Sequence, residues 1–179
     1  MAKSNNTLCL DKFYPERDLM ITDIAQQSDK IIIRMKSTSS SCKCPKCNHI
    51  TQKYHGTYTR KVQDLPILGK QVQLEICSHE YACLNDECEA VSIAETFDGF
   101  LNNYSRMTER CADFICTLAL ETSCEGCARV CRTLGIKTSG DTVIRLLLKR
   151  YESLPKPEVS DVIGVDDFAY KSAIHMGLS

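Results

Sequence analysis

The spacing of apolar residues changes partway along the chain. In residues 71–76 apolar and polar positions alternate, which places Val72, Leu74 and Ile76 on one face of a half-buried strand. From Ser105 onward apolar residues recur at intervals of three to four, which is the spacing of helices. The pattern therefore predicts an α+β protein with a strand-rich first part and a helical second part.

Further strands are indicated on both sides of residues 71–76. Residues 30–35 are short and β-branched, residues 54–62 read as a strand, and another strand ends at Cys83. Proline and glycine in residues 65–70 predict a turn between two of these strands. The expected arrangement is a hairpin of the zinc-ribbon kind.

Three helices are expected in the second part. Ser105 is the expected cap of the first, the second runs from about Cys124 to Leu134 and is closed by Gly135, and Ser139 caps the third. The predicted inward-facing residues are Met107, Cys111, Phe114 or Ile115, and Leu118 in the first helix, Ala128, Cys131 and Leu134 in the second, and Val143, Ile144, Leu147 and Leu148 in the third.

A helix, a short turn containing glycine and a second helix match the helix-turn-helix plan, in which the second helix enters the major groove of DNA. Residues 124–150 hold six basic and two acidic residues in a chain whose net charge is −1. An alternative interpretation of the two helices is a plain helical hairpin that does not bind DNA. For the basic residues of the predicted strands, the alternative is a solvated face. The candidate DNA-binding residues are Arg60, Lys61, Lys137, Ser139, Thr142, Arg145 and Lys149.

Two close pairs of cysteines flank the predicted strands. Cys44 and Cys47 are separated by two residues, and Cys83 and Cys88 by four. Tetrahedral Zn²⁺ takes four thiolate or imidazole ligands, and a closed set of four thiolates is typical of a structural site. The spacing favours structural zinc over free thiols.

Other cysteines and histidines leave alternatives open. Cys42 and His49 lie near the first pair and are competing zinc ligands. A further group, Cys124, Cys127 and Cys131, has the spacing of a metal or redox site on a helix, although small apolar cysteines also fill positions in helix packing. Packing is the favoured interpretation.

Composition limits the class of protein. A hydrophobic content of 43% and a charged content of 25% are typical of a globular protein and not of a disordered one. Neither a run of 18 apolar residues nor the apolar core of a signal peptide is present, so we expect a cytoplasmic protein with no membrane partner. In that compartment clustered cysteines more often bind metal than form disulfides.

A proline-containing linker, residues 151–160, leads to a last apolar segment. Residues 161–165 read as a strand that runs into Asp166 and Asp167. Many metal-dependent nucleases present a first carboxylate ligand to Mg²⁺ in this way, although acidic pairs also simply end strands.

Taken in this order, the segment with the paired cysteines, the predicted helix-turn-helix and the last strand with its acidic pair resemble the ISL3-family transposases of bacterial insertion sequences. The resemblance rests on residues 44–88 with their Asp-Leu-Pro tract, on residues 134–147, and on residues 162–171 with their Asp-Asp-Phe-Ala segment. It implies zinc and helical modules that bind double-stranded DNA at the terminal inverted repeats of the element. It further implies an RNase H-like catalytic domain whose two Asp and one Glu hold Mg²⁺, with Asp166 as the first Asp.

The expected organisation has four parts. They are an N-terminal strand and linker (1–41), a zinc-binding β module (42–97), a helix-turn-helix module (98–152), and a linker with the first strand of a truncated RNase H-like domain (153–179). Because the later catalytic carboxylates would lie beyond Ser179, we expect strand transfer and Mg²⁺ binding only in a full-length parent. Self-association is left open, and the alternative function is a zinc-stabilised helix-turn-helix transcriptional regulator.

Overall fold

The computed structural model describes residues 18–156, which form seven strands followed by three helices. The strands are β1 (Leu19–Gln26), β2 (Lys30–Ser37), β3 (Cys42–Lys43), β4 (Ile50–Thr51), β5 (Tyr54–Ile67), β6 (Lys70–Ala82) and β7 (Ser92–Ala94). The helices are α1 (Glu109–Leu120), α2 (Cys124–Thr133) and α3 (Gly140–Ser153). The mixed α+β character expected from the sequence is confirmed.

The main sheet is built around the β5–β6 hairpin. Its strand order is β1-β2-β6-β5, with β7 paired to the far end of β6. β6 runs parallel to β2 and antiparallel to β5. Leu68 and Gly69 connect β5 to β6 with φ angles of 51° and 74°, the left-handed values of a two-residue hairpin turn. The turn is therefore shorter than predicted.

Strand β5 includes Pro66, which the sequence predicts to lie in a turn. Proline has no N–H to donate, but β5 is the outer strand of the sheet and its register shifts between Asp64 and Ile67. An outer strand with an irregular register tolerates proline. The first two strands also join this sheet, although their residues precede the predicted β module.

One face of the sheet forms a hydrophobic core. Val72, Leu74 and Ile76 are buried side by side, which confirms their predicted common face. They pack with Ile33 and Met35 of β2, and Phe97, Phe100 and Leu101 from the segment after β7 cover the cluster. The opposite face of the same strands is polar.

The helices pack around a second core. Thr108 caps α1 by accepting a hydrogen bond from the amide of Cys111, so the predicted cap at Ser105 is wrong. The hydroxyl of Ser105 instead donates to the carbonyl of Met107. Ser139 caps α3 as expected, and Gly135 takes a φ of 86° just after the C-cap of α2.

Several predicted inward residues of the helices are exposed. Cys111, Ile115, Cys131 and Val143 are buried, whereas Phe114, Leu134, Ile144 and Leu148 are 36–56% exposed. A three-to-four spacing marks a broad stripe on a helix, but α3 packs on its neighbours over only part of its circumference. The residues at the edge of the stripe therefore face outward. None of the helices within residues 18–156 is long and apolar enough to cross a membrane.

Adjacent side chains of β5 form hydrogen bonds with the helical region. The buried carboxylate of Asp64 in β5 accepts hydrogen bonds from the Thr108 hydroxyl (2.7 Å) and Arg110 Nε (2.8 Å) at the start of α1. The side-chain amide of Gln63 bonds both the N–H (2.8 Å) and the carbonyl (3.3 Å) of Lys137, in the turn before α3. Neighbouring residues of one strand thus hold two helices in place.

Candidate zinc site and nucleic-acid surface

The first pair of cysteines lies in a tight turn between β3 and β4. The amide of Asn48 donates to the carbonyl of Cys44, and the amide of Cys44 donates to the carbonyl of His49, both at 2.9 Å. Asn48 has a φ of 60°, which lets the chain turn back. This compact turn brings Cys44 and Cys47 toward the same side.

The second pair of cysteines follows β6. The amide of Cys88 donates to the carbonyl of Asn85 at 2.9 Å, and the side chain of Asn85 accepts from the amide of Glu87. The β3–β4 turn is tied to this region because the Thr51 hydroxyl donates to the carbonyl of Ala82 at 2.8 Å. The two turns therefore face each other at one end of the sheet.

The four sulfur atoms form a compact cluster. Sγ of Cys44, Cys47, Cys83 and Cys88 all lie within 4.8 Å of one another. The Cys44–Cys88 and Cys47–Cys83 Sγ distances are 3.8 and 3.7 Å. Four sulfurs at about 2.3 Å from one tetrahedral Zn²⁺ are about 3.8 Å apart, so the donor set and its size fit zinc.

The thiols of the cluster differ in their pKa values. The N–H of His49 favours the thiolate of Cys47 and, with the side chain of Asn85 and neighbouring thiols, lowers the Cys47 pKa to about 6. At Cys83 the N–H of Asn85 also favours the thiolate, but burial and the other three sulfurs outweigh it and raise the pKa to about 12. Crowded sulfurs resist a second negative charge, which a bound cation would offset.

Neither competing ligand belongs to the cluster. Sγ of Cys42 lies near the carbonyl oxygens of Lys43 (3.7 Å) and Ala94 (3.9 Å). His49 contributes its backbone to the turn, and its side chain is exposed. Within residues 18–156, the four predicted cysteines form the one group of three or more residues arranged for a metal.

The cysteines of the helical region fill its core. Cys111, Cys127 and Cys131 are fully buried in the cluster between the helices, and Cys124 packs against it. Burial raises the pKa of Cys127 to about 11 and that of Cys111 to about 12, so these thiols stay neutral. The arrangement favours packing over metal binding or redox chemistry.

The candidate DNA-binding residues of α3 share one face. Thr142, Arg145 and Lys149 follow one another at intervals of three and four, and both basic side chains are exposed. Neither Arg145 nor Lys149 forms a salt bridge with any residue in the described part of the chain. Ser139 uses its hydroxyl as the helix cap, accepting from the amide of Thr142.

The strand candidates are separated. Arg60 and Lys61 are adjacent in β5, so their side chains point to opposite faces of the sheet. Arg60 Nη2 donates to the carbonyls of Asn102 and Ser105, both at 3.0 Å, and thereby holds the loop before α1. Lys61 is exposed on the polar face, where it lines a cavity together with Lys137.

Sequence reasoning missed Lys30 and Arg106, which line the same cavity. Both are isolated basic residues with no local motif, and only the fold brings them together with Lys61 and Lys137. The candidate catalytic residue Asp166, with the strand predicted before it, lies outside the described residues.

Residues 40–88 match a family model described as the zinc-finger of transposase IS204/IS1001/IS1096/IS1165. The matched segment contains all four clustered cysteines and ends at the last of them. No match was found among curated proteins or among solved structures. The family match and the sulfur cluster together indicate a structural zinc ribbon and support the transposase family.

Proposed function

We propose that this chain is the DNA-binding part of an ISL3-type transposase and recognises the terminal inverted repeats of its insertion sequence. The observation that carries the proposal is the match of residues 40–88 to a transposase zinc finger, on a segment whose four cysteine sulfurs lie within 4.8 Å. A zinc-stabilised transcriptional regulator would share the zinc site and the helices. The family match favours the transposase.

Zinc has a structural role in this proposal. Cys44, Cys47, Cys83 and Cys88 would hold the ion, leaving no coordination position for water or substrate. Zn²⁺ would fix the β3–β4 turn to the end of β6. The Lys46–Glu89 salt bridge (3.3 Å) also joins the two turns, but both side chains are exposed, so it contributes little.

Recognition is assigned to α3. With Gly135 ending α2 and Ser139 capping α3, these helices and their short turn follow the helix-turn-helix plan. Thr142 and Arg145 near the start of α3 would reach base edges, and Lys149 would contact the backbone. Since the two ends of an element carry the same repeat, two copies are expected to bind one element and associate there.

The test is binding to duplexes that carry the terminal repeats of the surrounding element, compared with shuffled duplexes. Fluorescence anisotropy at several salt concentrations should show a preference of at least tenfold for the repeat, since specific DNA affinities exceed non-specific ones by a wide margin. The double variant Arg145→Ala, Lys149→Ala should lose most of that preference, about 1–3 kcal/mol for a specific base contact.

The matched control is Lys36→Ala. Lys36 is exposed on β2 and carries the same charge as Lys149, but lies outside the helical module. It should leave the preference unchanged. If the double variant also kept the preference and the salt slope of the native chain, α3 would not be the element that recognises the repeat.

A further inference from the structure

A basic cavity lies where the polar face of the sheet meets the turn before α3. It measures about 160 Å³, and its charged lining residues are Lys30, Lys61, Arg106 and Lys137. All four are cations, and none of the residues from 18 to 156 that line the cavity is a carboxylate. They come from four separate parts of the chain, β2, β5, the segment before α1 and the α2–α3 turn.

Glutamine side chains from β5 and β6 also line the cavity, and two of them are tied to their surroundings. Gln73 accepts a hydrogen bond from Lys30 Nζ and donates to Glu75 Oε1 at 3.1 Å. The side-chain amide of Gln63 forms hydrogen bonds with the backbone N–H and carbonyl of Lys137, which hold that residue at the cavity edge. Side chains that are already held by hydrogen bonds, such as Gln63, Gln73 and Lys30, lose little conformational freedom when they bind a ligand, which favours binding.

The positive charge is only partly compensated. Glu75 of β6 forms a salt bridge with Arg34 at 3.2 Å and a longer one with the lining residue Lys61 at 3.8 Å. Arg106 and Lys137 are exposed, and neither side chain forms a salt bridge with a residue between 18 and 156. An open cavity lined by several cations is suited to an anion such as phosphate.

We propose that this cavity binds a phosphate group and that, in the complex with DNA, it holds a backbone phosphate beside the site read by α3. The DNA assignment rests on the proposed function. Lys137 lies two residues before the Ser139 cap, so a phosphate in the cavity would be adjacent to the start of α3. A phosphate held there by groups from the sheet would set the register of α3 on the duplex.

The test compares the double variant Lys30→Ala, Arg106→Ala with the native chain in DNA titrations at 50–200 mM salt. The slope of log K against log salt is negative, and loss of two phosphate-contacting cations should reduce its magnitude by about 2. Binding at low salt should weaken on the order of tenfold. Because the cavity reads no bases, the repeat and the shuffled duplex should be affected alike, unlike in Arg145→Ala, Lys149→Ala.

The substitutions Lys30→Ala and Arg106→Ala should leave the contacts between β5 and the helical region intact. Arg106 supports β5 through its backbone carbonyl, which accepts from the amide of Gln63 at 2.8 Å and is retained in alanine. Lys36→Ala is the matched control, since it lies on the same strand as Lys30 and six residues away, about 20 Å along an extended chain. An unchanged slope in the double variant, with α3 variants still impaired, would overturn the assignment of a DNA phosphate to the cavity and leave the proposed function standing.

A second measurement examines the cavity without DNA. Inorganic phosphate should shift the ¹⁵N side-chain amide signals of Gln63 and Gln73 in the native chain and not in the double variant. If the native chain did not bind duplex DNA, the proposed function and the DNA assignment would be wrong, and these shifts would still support a phosphate site. Absence of shifts together with an unchanged salt slope would reject the site altogether.

Discussion

Asp64 of β5 connects the sheet to the start of α1. Its side chain is completely buried and accepts hydrogen bonds from the Thr108 hydroxyl, from the amide of Leu65 at 2.8 Å and from Arg110, with which it also forms a salt bridge. Burial disfavours the charged carboxylate, but these partners outweigh burial and hold the pKa of Asp64 below its ordinary value. The ionised form therefore stabilises the fold.

Replacing Asp64 with Asn should lower the free energy of unfolding by about 1–3 kcal/mol at pH 7, because a buried charged acceptor is lost. Since the pKa is lower in the folded chain, this contribution is present above the unfolded-state pKa of about 3.9 and is lost as the pH falls through the folded pKa. Urea denaturation at pH 7 and pH 3 should therefore show the deficit at pH 7 and a smaller one at pH 3.

The control for Asp64 is Asp113→Asn. Asp113 pairs with Arg150 at 2.7 Å, but both side chains are at least half exposed. Solvent screens such pairs, so this variant should stay within about 0.5 kcal/mol of the native chain. Equal effects of the two substitutions, or a deficit of Asp64→Asn that grows toward pH 3, would contradict the assigned role.

At the scale of elements, local patterns were predictable and distant pairings were not. The cysteine turns, the alternation of Val72, Leu74 and Ile76 and the Ser139 cap each depend on a few neighbouring residues. By contrast, Gln63 bonds Lys137 across 74 positions, and β2 pairs with β6 across about 40. No local signal specifies such partners, and for the same reason the basic cavity could not be predicted.

Removal of zinc should affect one group of elements more than the others. The cluster around Cys44, Tyr81 and Ile93 involves β3, the end of β6 and β7, and is separate from the core between the helices. Treatment with a chelator should therefore speed amide hydrogen exchange in β3, β4 and β7, whereas α1–α3 keep their protection.

Matched cysteine variants test the same site. Cys83→Ser should lose bound zinc and reproduce the exchange pattern of the chelator, whereas Cys77→Ser in β6, outside the sulfur cluster, should retain one zinc per chain. A native chain that purified without zinc, and whose exchange did not respond to the chelator, would rule out a structural metal.

For the whole molecule, the question is whether sheet and helices act as one unit. Although the sequence predicts a boundary between residues 97 and 98, Gln63 connects β5 to the turn before α3 and Asp64 connects it to the start of α1. Leu65 of β5 also packs against that core. Proposed recognition by α3 and phosphate binding by the sheet require the two parts to keep a fixed relative position, because contacts made together strengthen binding only when the geometry allows both.

We therefore expect the zinc-loaded chain to unfold in one transition. Far-UV circular dichroism, dominated by the helices, and the near-UV signal of tyrosines in the sheet should give coincident urea curves. In the double variant Gln63→Ala, Asp64→Ala the side-chain hydrogen bonds of both residues to the helical region are removed, so the curves should separate. Two well-separated transitions in the native chain would mean that the helices and the sheet are independent, and the cavity between them could not fix the register of α3 on DNA.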